Sequence, residues 1–175
     1  MKIEETFELA FQNHKKNNFE IARKLYKQIL EKQPNHYKTI FHLGALSIQT
    51  KKFDRAKSYY EKAIQINPNS PDVHHNLGTI LQQLGDIKKA IVCYEKAIQI
   101  SPNYASAHNN LGNSFNELGE HEKAVGCCEK AIQINPNNAS AHNNLGNALK
   151  ALGEFQKAKS CYQKAIEIQP NYADA

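Results

Sequence analysis

The chain of 175 residues has no tryptophan, and none of its apolar runs approaches the roughly 18 residues that a membrane span requires. Its amino terminus also lacks the charged and then apolar pattern of a signal peptide. These absences argue against a membrane protein and against a secreted one. We therefore expect a cytoplasmic protein that does not contact a membrane.

Cysteine is scarce and badly placed for cross-linking. Three of the four cysteines, Cys93, Cys127 and Cys161, are separated from one another by 34 residues, and Cys128 is adjacent to Cys127. Neighbouring residues on a helix point about 100° apart, so the adjacent pair cannot form a disulfide without breaking the helix. No Cys-x-x-Cys or close histidine pair offers a zinc site. We expect reduced thiols and no bound metal, with a further column of histidines packing against the core: His74, His108 and His142.

Catalytic motifs are missing as well. The chain has no His-Glu-x-x-His, no phosphate-cradling glycine loop and no nucleophile elbow, so we expect no catalytic site and no cofactor. The net charge of +5 is concentrated in residues 37–70, where six basic residues face two acidic ones. No aromatic residues alternate with these cations to stack on bases, so we interpret them as a solvated surface and expect no nucleic-acid partner. The six are Lys38, Lys51, Lys52, Arg55, Lys57 and Lys62.

The sequence does contain a repeat with a period of 34 residues, which prolines mark from Pro34 to Pro170. Within each period, small and large apolar residues recur at helical spacing in two stripes, which predicts two amphipathic helices. Gly85, Gly119 and Gly153 fall where the first helix of a pair must end, and the prolines end the second helix. The repeating columns include Leu43, Leu77, Leu111 and Leu145, then Gly44, Gly78, Gly112 and Gly146, then Ala56, Ala90, Ala124 and Ala158.

This unit resembles the tetratricopeptide repeat, or TPR, through Asn110-Leu111-Gly112, Ala90, Tyr94 and Pro102. The resemblance implies an all-α fold, an α-solenoid of five tandem helix-turn-helix units that form a right-handed superhelix. We predict a single array over residues 3–172, and we interpret residues 173–175 as the start of a truncated sixth repeat. The five repeats are 3–36, 37–70, 71–104, 105–138 and 139–172.

Asparagines form a stripe on the first helices of the later repeats. Asparagine is a poor helix former, and the second helices of repeats two to five contain none before their closing turns. A selected binding surface explains this difference, although a composition bias in recently duplicated repeats is an alternative. Because an amide both donates and accepts hydrogen bonds, the stripe could hold a polypeptide backbone of any sequence. The predicted binding residues are Asn76, Asn109, Asn110, Asn113, Asn143, Asn144 and Asn147.

The resemblance implies that the first helices line a concave groove in which an extended peptide lies. The predicted function is therefore a protein-protein interaction scaffold whose partner is a protein or an extended peptide. The alternative is the substrate-recruiting arm of a larger enzyme, a glycosyltransferase or a sulfotransferase, because the Asn-Leu-Gly motif is similar to the arm of the O-linked N-acetylglucosamine transferases. In that case a catalytic domain would follow Ala175.

The carboxy-terminal end of the array lacks a polar capping helix. Residues 171–175 match residues 103–107 at all positions but one, and the fourth repeat begins within residues 103–107. The outer face of the fifth repeat should then be bare, with Tyr162, Ala165 and Ile166 contributing to it. We expect self-association through this uncapped end at high concentration.

Overall fold

The structure is a computed structural model that describes residues 2–170, and over this range it contains ten α-helices and no strand. The predicted all-α fold with two helices per 34-residue repeat is confirmed. The helices are α1 Ile3–Lys15, α2 Phe19–Lys32, α3 Tyr37–Gln49, α4 Phe53–Ile66, α5 Pro71–Gln83, α6 Ile87–Ile100, α7 Ala105–Glu117, α8 His121–Ile134, α9 Ala139–Ala151 and α10 Phe155–Ile168.

The helices form two compact units, Met1–Leu84 with α1 to α5 and Gly85–Ala175 with α6 to α10. The division falls within the third repeat, between its two helices. The single array over residues 3–172 and its right-handed superhelix stay predictions. The truncated sixth repeat at residues 173–175 lies outside the described residues, as do the last two residues of the fifth repeat.

The turn inside each repeat requires a left-handed backbone conformation. Gly119 and Gly153 adopt φ values of 75° and 81° directly after the residues that cap α7 and α9, as the sequence predicts. In the first two repeats the same position is held by Asn17 at φ 61° and Lys51 at φ 54°. Asparagine tolerates this conformation, but lysine is strained there.

In the second, fourth and fifth repeats, a glycine of the first helix packs closely against a side chain of the second helix, whereas the first repeat has Ala10 at this position. A Cβ atom on Gly44 would come within 2.7 Å of the Tyr60 ring, and one on Gly146 within 2.5 Å of the Tyr162 ring. In the fourth repeat the smaller Cys128 replaces tyrosine, and its Sγ would lie 2.5 Å from a Cβ on Gly112. The glycine column therefore exists because the partner side chain occupies the space of a Cβ.

The histidine column has a polar role that adds to the predicted packing. Nε2 of His74, His108 and His142 hydrogen-bonds the carbonyl oxygens of Pro68, Pro102 and Pro136 at 2.9, 3.0 and 3.0 Å. Each histidine thus ties its helix to the proline turn that precedes it. Ile40 stands in this column in the second repeat, and there the Lys62 ammonium donates to the Pro34 carbonyl at 2.7 Å instead.

The outer side of α10 differs in part from the prediction. Ile166 is 42% exposed and Tyr162 is half-buried, but Ala165 is completely buried, so its assignment to the bare face is wrong. Ala165 belongs to the column of Ala63, Ala97 and Ala131, and all four of these alanines are completely buried. Phe155, which was not predicted to belong to this surface, is 66% exposed.

Candidate functional site

In the second unit, three of the predicted asparagines form a hydrogen-bonded chain between neighbouring first helices. Asn144 on α9 donates from Nδ2 to Oδ1 of Asn109 on α7, at 3.0 Å. Asn109 in turn donates from Nδ2 to Oδ1 of Asn110, at 3.1 Å. These bonds fix the orientation of the amides, because each uses the oxygen of one and the nitrogen of the next.

Asn116 strengthens this arrangement from the end of α7. Its Nδ2 donates to the backbone carbonyl of Asn144 at 2.9 Å, and its Oδ1 lies 3.3 Å from Nδ1 of His121 on α8. The side chain therefore links three helices of the unit. Its bond to a carbonyl within α9 adds to the direct packing of α7 on α9.

The predicted asparagines differ in exposure. Asn109 is 9% exposed and Asn143 is 4% exposed, so both belong to the interior more than to the surface. Asn143 Oδ1 is buried without a hydrogen-bond partner among the described residues. Asn110, Asn113 and Asn144 are half-buried, and Asn147 is exposed. These last four form the accessible part of the stripe, which we call the amide face.

Several polar atoms of the amide face remain available to a ligand. Asn113 donates from Nδ2 to Glu117 at 2.7 Å, and Asn147 Oδ1 accepts a bond from the Tyr162 hydroxyl at 2.9 Å. Within residues 85–170, Asn113 Oδ1, Asn144 Oδ1 and Asn147 Nδ2 have no such partner. The face thus presents two acceptors and one donor on side chains that intramolecular bonds already orient.

Asn76 belongs to the first unit and is half-buried. Its Nδ2 donates to the hydroxyl oxygen of Tyr60 at 3.3 Å. Burial raises the pKa of Tyr60 well above its ordinary value, so this hydroxyl keeps its proton. The bond anchors Asn76 on the buried ring of the preceding repeat.

Aromatic residues occupy the asparagine columns in the first two repeats, and they were not among the predicted site residues. Phe7 and Phe41 stand in the column of Asn109, while His42 stands in the column of Asn110. The ring of His42 lies 5.5 Å from Phe7 and 4.9 Å from Phe11, between centroids. Following each asparagine column back to the first repeat would have revealed this half-buried aromatic cluster.

Burial in this cluster changes the titration of its histidines. Desolvation, together with the charge of nearby His14, lowers the pKa of His42 to about 4. The pKa of His14 is also lowered by burial, although its hydrogen bond to Gln49 at 3.0 Å opposes the shift. Both rings are therefore neutral near pH 7.

The four cysteines are free thiols. Burial raises the pKa of Cys127 to about 11 and that of Cys128 to about 12, so both stay protonated and unreactive at neutral pH. No cluster of three or more His, Cys, Asp or Glu side chains able to hold a metal ion occurs within residues 2–170. Among the described helices, none is both long enough and apolar enough to cross a membrane.

Comparisons with known proteins agree with this architecture. A family model described as TPR repeat matches residues 78–119, and three described as Tetratricopeptide repeat match residues 37–70, 59–92 and 103–171. No curated protein sequence matches the chain. The chain belongs to the tetratricopeptide repeat family, and its class is that of an α-helical protein-interaction scaffold.

Solved structures of the same family superpose on most of the chain. The crystal structure of MamA protein is 26% identical with a TM-score of 0.86, covering 98% of this chain and 93% of that one. The crystal structure of YrrB, described as a TPR protein with an unusual peptide-binding site, is 24% identical with a TM-score of 0.81, covering 97% and 87%. MamA from Desulfovibrio magneticus RS-1 is 18% identical with a TM-score of 0.87, covering 98% and 97%. The last two show similarity of fold.

Proposed function

We propose that the amide face of the second unit binds the backbone of an extended polypeptide. The hydrogen-bonded chain from Asn144 through Asn109 to Asn110 carries this proposal, because it fixes the amides before any ligand arrives. A side chain that is already held in place loses less conformational entropy on binding than a mobile one.

The polar atoms left open match the needs of a peptide backbone. Asn113 Oδ1 and Asn144 Oδ1 can accept from peptide N–H groups, and Asn147 Nδ2 can donate to a peptide carbonyl. Since none of these groups carries a charge, recognition would depend on the extended backbone rather than on acidic or basic side chains. Such a site would accept partners of varied sequence.

Buried Asn109 supports the face without contacting the ligand in this proposal. It receives the hydrogen bond of Asn144 and passes one on to Asn110, so its removal would release both neighbours. Asn143 occupies the same column and is also buried, but it makes no corresponding bond through its Oδ1. Asn76 could extend backbone recognition on the first unit, where Tyr60 holds it.

The test is a selection of binding peptides from a library of unstructured sequences, followed by titration of the best binder. We expect the Asn144→Ala/Asn147→Ala variant to bind about tenfold or more weakly, because two hydrogen bonds are lost. Asn137→Ala is the matched control, since Asn137 is an exposed asparagine in the turn before α9 and lies off the amide face. Equal affinities of the two variants would contradict the proposal.

A further inference from the structure

A cleft of about 310 Å³ lies between α2, α3 and α4 in the first unit. Four of its eight lining residues are cationic, Arg23 and Lys27 on α2 together with Lys52 and Arg55 at the start of α4. No acidic residue lines it, and Ser58 adds a hydroxyl group. We call this site the basic cleft.

The fold leaves most of this positive charge uncompensated. Arg23, whose side chain is 17% exposed, forms an ion pair with the 82% exposed Glu20 at 2.9 Å. Lys27, Lys52 and Arg55 have no ion-pair partner within residues 2–170. Lys52 is also the residue that caps the amino end of α4, where the helix dipole disfavours a cation. The local structure gains nothing from collecting these charges.

An equivalent cleft, with net negative instead of net positive charge, occurs three repeats further on. All eight positions that line the basic cleft have counterparts that line a cleft of about 490 Å³ in the second unit. There Glu129 and Glu154 replace Lys27 and Lys52, while Lys157 replaces Arg55 and is paired with Glu154. The repeat fold therefore tolerates acidic residues at these positions, and the cations of the first unit are not required for packing.

We propose that the basic cleft binds a phosphoryl group. Arginine side chains can hold two phosphate oxygens at once, and the lysines add point charges around the same anion. A phosphate dianion compensates two of the three unpaired cations, whereas a carboxylate compensates only one. Inorganic phosphate and a phosphorylated side chain of a partner polypeptide both present this group. The proposal is independent of the amide face, because none of its residues lies in the asparagine columns.

Isothermal titration of the whole chain with inorganic phosphate and with pyrophosphate, at constant low ionic strength, tests this proposal. We expect both anions to bind, and acetate to bind about tenfold or more weakly because it lacks the second charge. Absence of phosphate binding at millimolar concentration would overturn the proposal, as would equal binding of acetate.

A charge-reversal variant localises the binding. Lys27→Glu/Lys52→Glu installs the residues that the second unit carries at the equivalent positions, so the helices should be retained, which circular dichroism checks. Lys16→Glu/Lys38→Glu makes the same change in net charge at exposed positions that do not line the cleft. We expect phosphate affinity to fall about tenfold for each lysine replaced in the first variant and to stay within about twofold in the second. An equal decrease in both variants would mean general charge attraction and would overturn the proposal.

Two further ligands identify the source of the phosphoryl group. Competition between inorganic phosphate and a phosphoserine peptide, with no binding of the unphosphorylated peptide, supports a phosphorylated polypeptide partner. Binding of inorganic phosphate without binding of the peptide supports the same cleft with a small anion as its ligand. Binding to anionic lipid vesicles with no response to inorganic phosphate would overturn the proposal. The Asn144→Ala/Asn147→Ala variant should retain its phosphate affinity, which separates this test from that of the amide face.

Discussion

Asn109 and Asn143 occupy equivalent positions in two identical stretches of sequence, residues 105–113 and 139–147. Both side chains are almost completely buried. Asn109 accepts a hydrogen bond from Asn144 and donates one to Asn110, whereas Asn143 Oδ1 has no partner in the described part of the chain. A buried polar atom without a partner loses its hydration and receives nothing in return.

Replacing each of these asparagines with alanine should therefore change stability in opposite directions. Asn109→Ala should lower the free energy of unfolding by about 1 kcal/mol, because two hydrogen bonds outweigh the gain in helix propensity. Asn143→Ala should raise it by about 0.5–1 kcal/mol, because an unpaired oxygen and a poor helix former are both removed. Chemical unfolding followed by circular dichroism measures both variants. A loss of stability in Asn143→Ala as large as that in Asn109→Ala would contradict the assignment.

His42 links the aromatic cluster of the first unit to pH. Its pKa is lowered from 6.5 to about 4 in the folded chain, so between these values the unfolded chain binds more protons. Stability should consequently rise with pH across this window and fall on acidification. The lowered pKa of His14 acts in the same direction.

We expect the melting temperature to drop as the pH falls from 7 to 5, and the drop to shrink in His42→Asn, which installs the residue found at positions 76, 110 and 144. Protonation of His42 should lower the free energy of unfolding at pH 5 by about 1 kcal/mol, after allowance for solvent screening of a half-buried ring. Thermal unfolding over a pH series measures it. His108→Asn is the control, because that ring bonds a proline carbonyl outside the cluster. An unchanged pH dependence in His42→Asn would refute the role of this ring.

At the scale of single helices, two glycines affect α8 in different ways. Gly126 lies on the exposed side of α8, and a Cβ added there would meet nothing within 4 Å. Gly112 on α7 packs against α8, and a Cβ there would come within 2.5 Å of Cys128 Sγ and 3.2 Å of the Ala124 carbonyl oxygen. The first glycine only weakens its helix, while the second makes close packing possible.

Gly126→Ala should stabilise the chain by about 0.5–1 kcal/mol, because alanine restricts the unfolded chain and favours the helix. Amide hydrogen exchange in α8 should slow as well. Gly112→Ala should destabilise it by about 1–3 kcal/mol, because the completely buried Cys128 Sγ would overlap the new Cβ and the nearby carbonyl of Ala124 is backbone, which shifts less easily than a side chain. If both substitutions changed the free energy of unfolding in the same direction, the distinction between these two positions would be wrong.

At the scale of the whole molecule, α10 presents an apolar surface. Phe155 is 66% exposed, Ile166 is 42% exposed and Leu152, in the turn before the helix, is 36% exposed. Burying a phenylalanine side chain is worth about 1.5–3 kcal/mol, so a surface with several such residues favours association at high concentration.

Self-association through this surface should appear in light scattering as a mass that rises with protein concentration. Phe155→Lys/Ile166→Lys should weaken it about tenfold or more, because two buried side chains become charged. Val92→Lys is the control, since Val92 is 62% exposed on α6 and lies outside this surface. Loss of association in the control alone would place the interface elsewhere, and a constant mass for the unmodified chain would refute self-association.

Much of the fold could be predicted because the repeat imposes the same local constraints five times. The repeating prolines, such as Pro68 and Pro102, follow the ends of the second helices, and Gly119 and Gly153 follow the ends of the first, so most of the helix boundaries follow from local chemistry. The aromatic cluster around His42 was missed because it interrupts the asparagine columns. Ala165 was wrongly expected at the surface because a column shows which residues are alike, not how deeply each one is buried.

The sequence by itself determined the period, the helices, the glycine and alanine columns and the asparagine stripe, because these depend on spacing and on backbone preferences within about 34 residues. Only the tertiary structure decided how identical residues differ. Asn109 Oδ1 accepts a hydrogen bond from Asn144 on another helix, whereas Asn143 Oδ1 has no partner among residues 2–170. Lys27 and Lys52 line a basic cleft while Glu129 and Glu154 line its acidic counterpart, because packing brings positions far apart in the chain to the same opening.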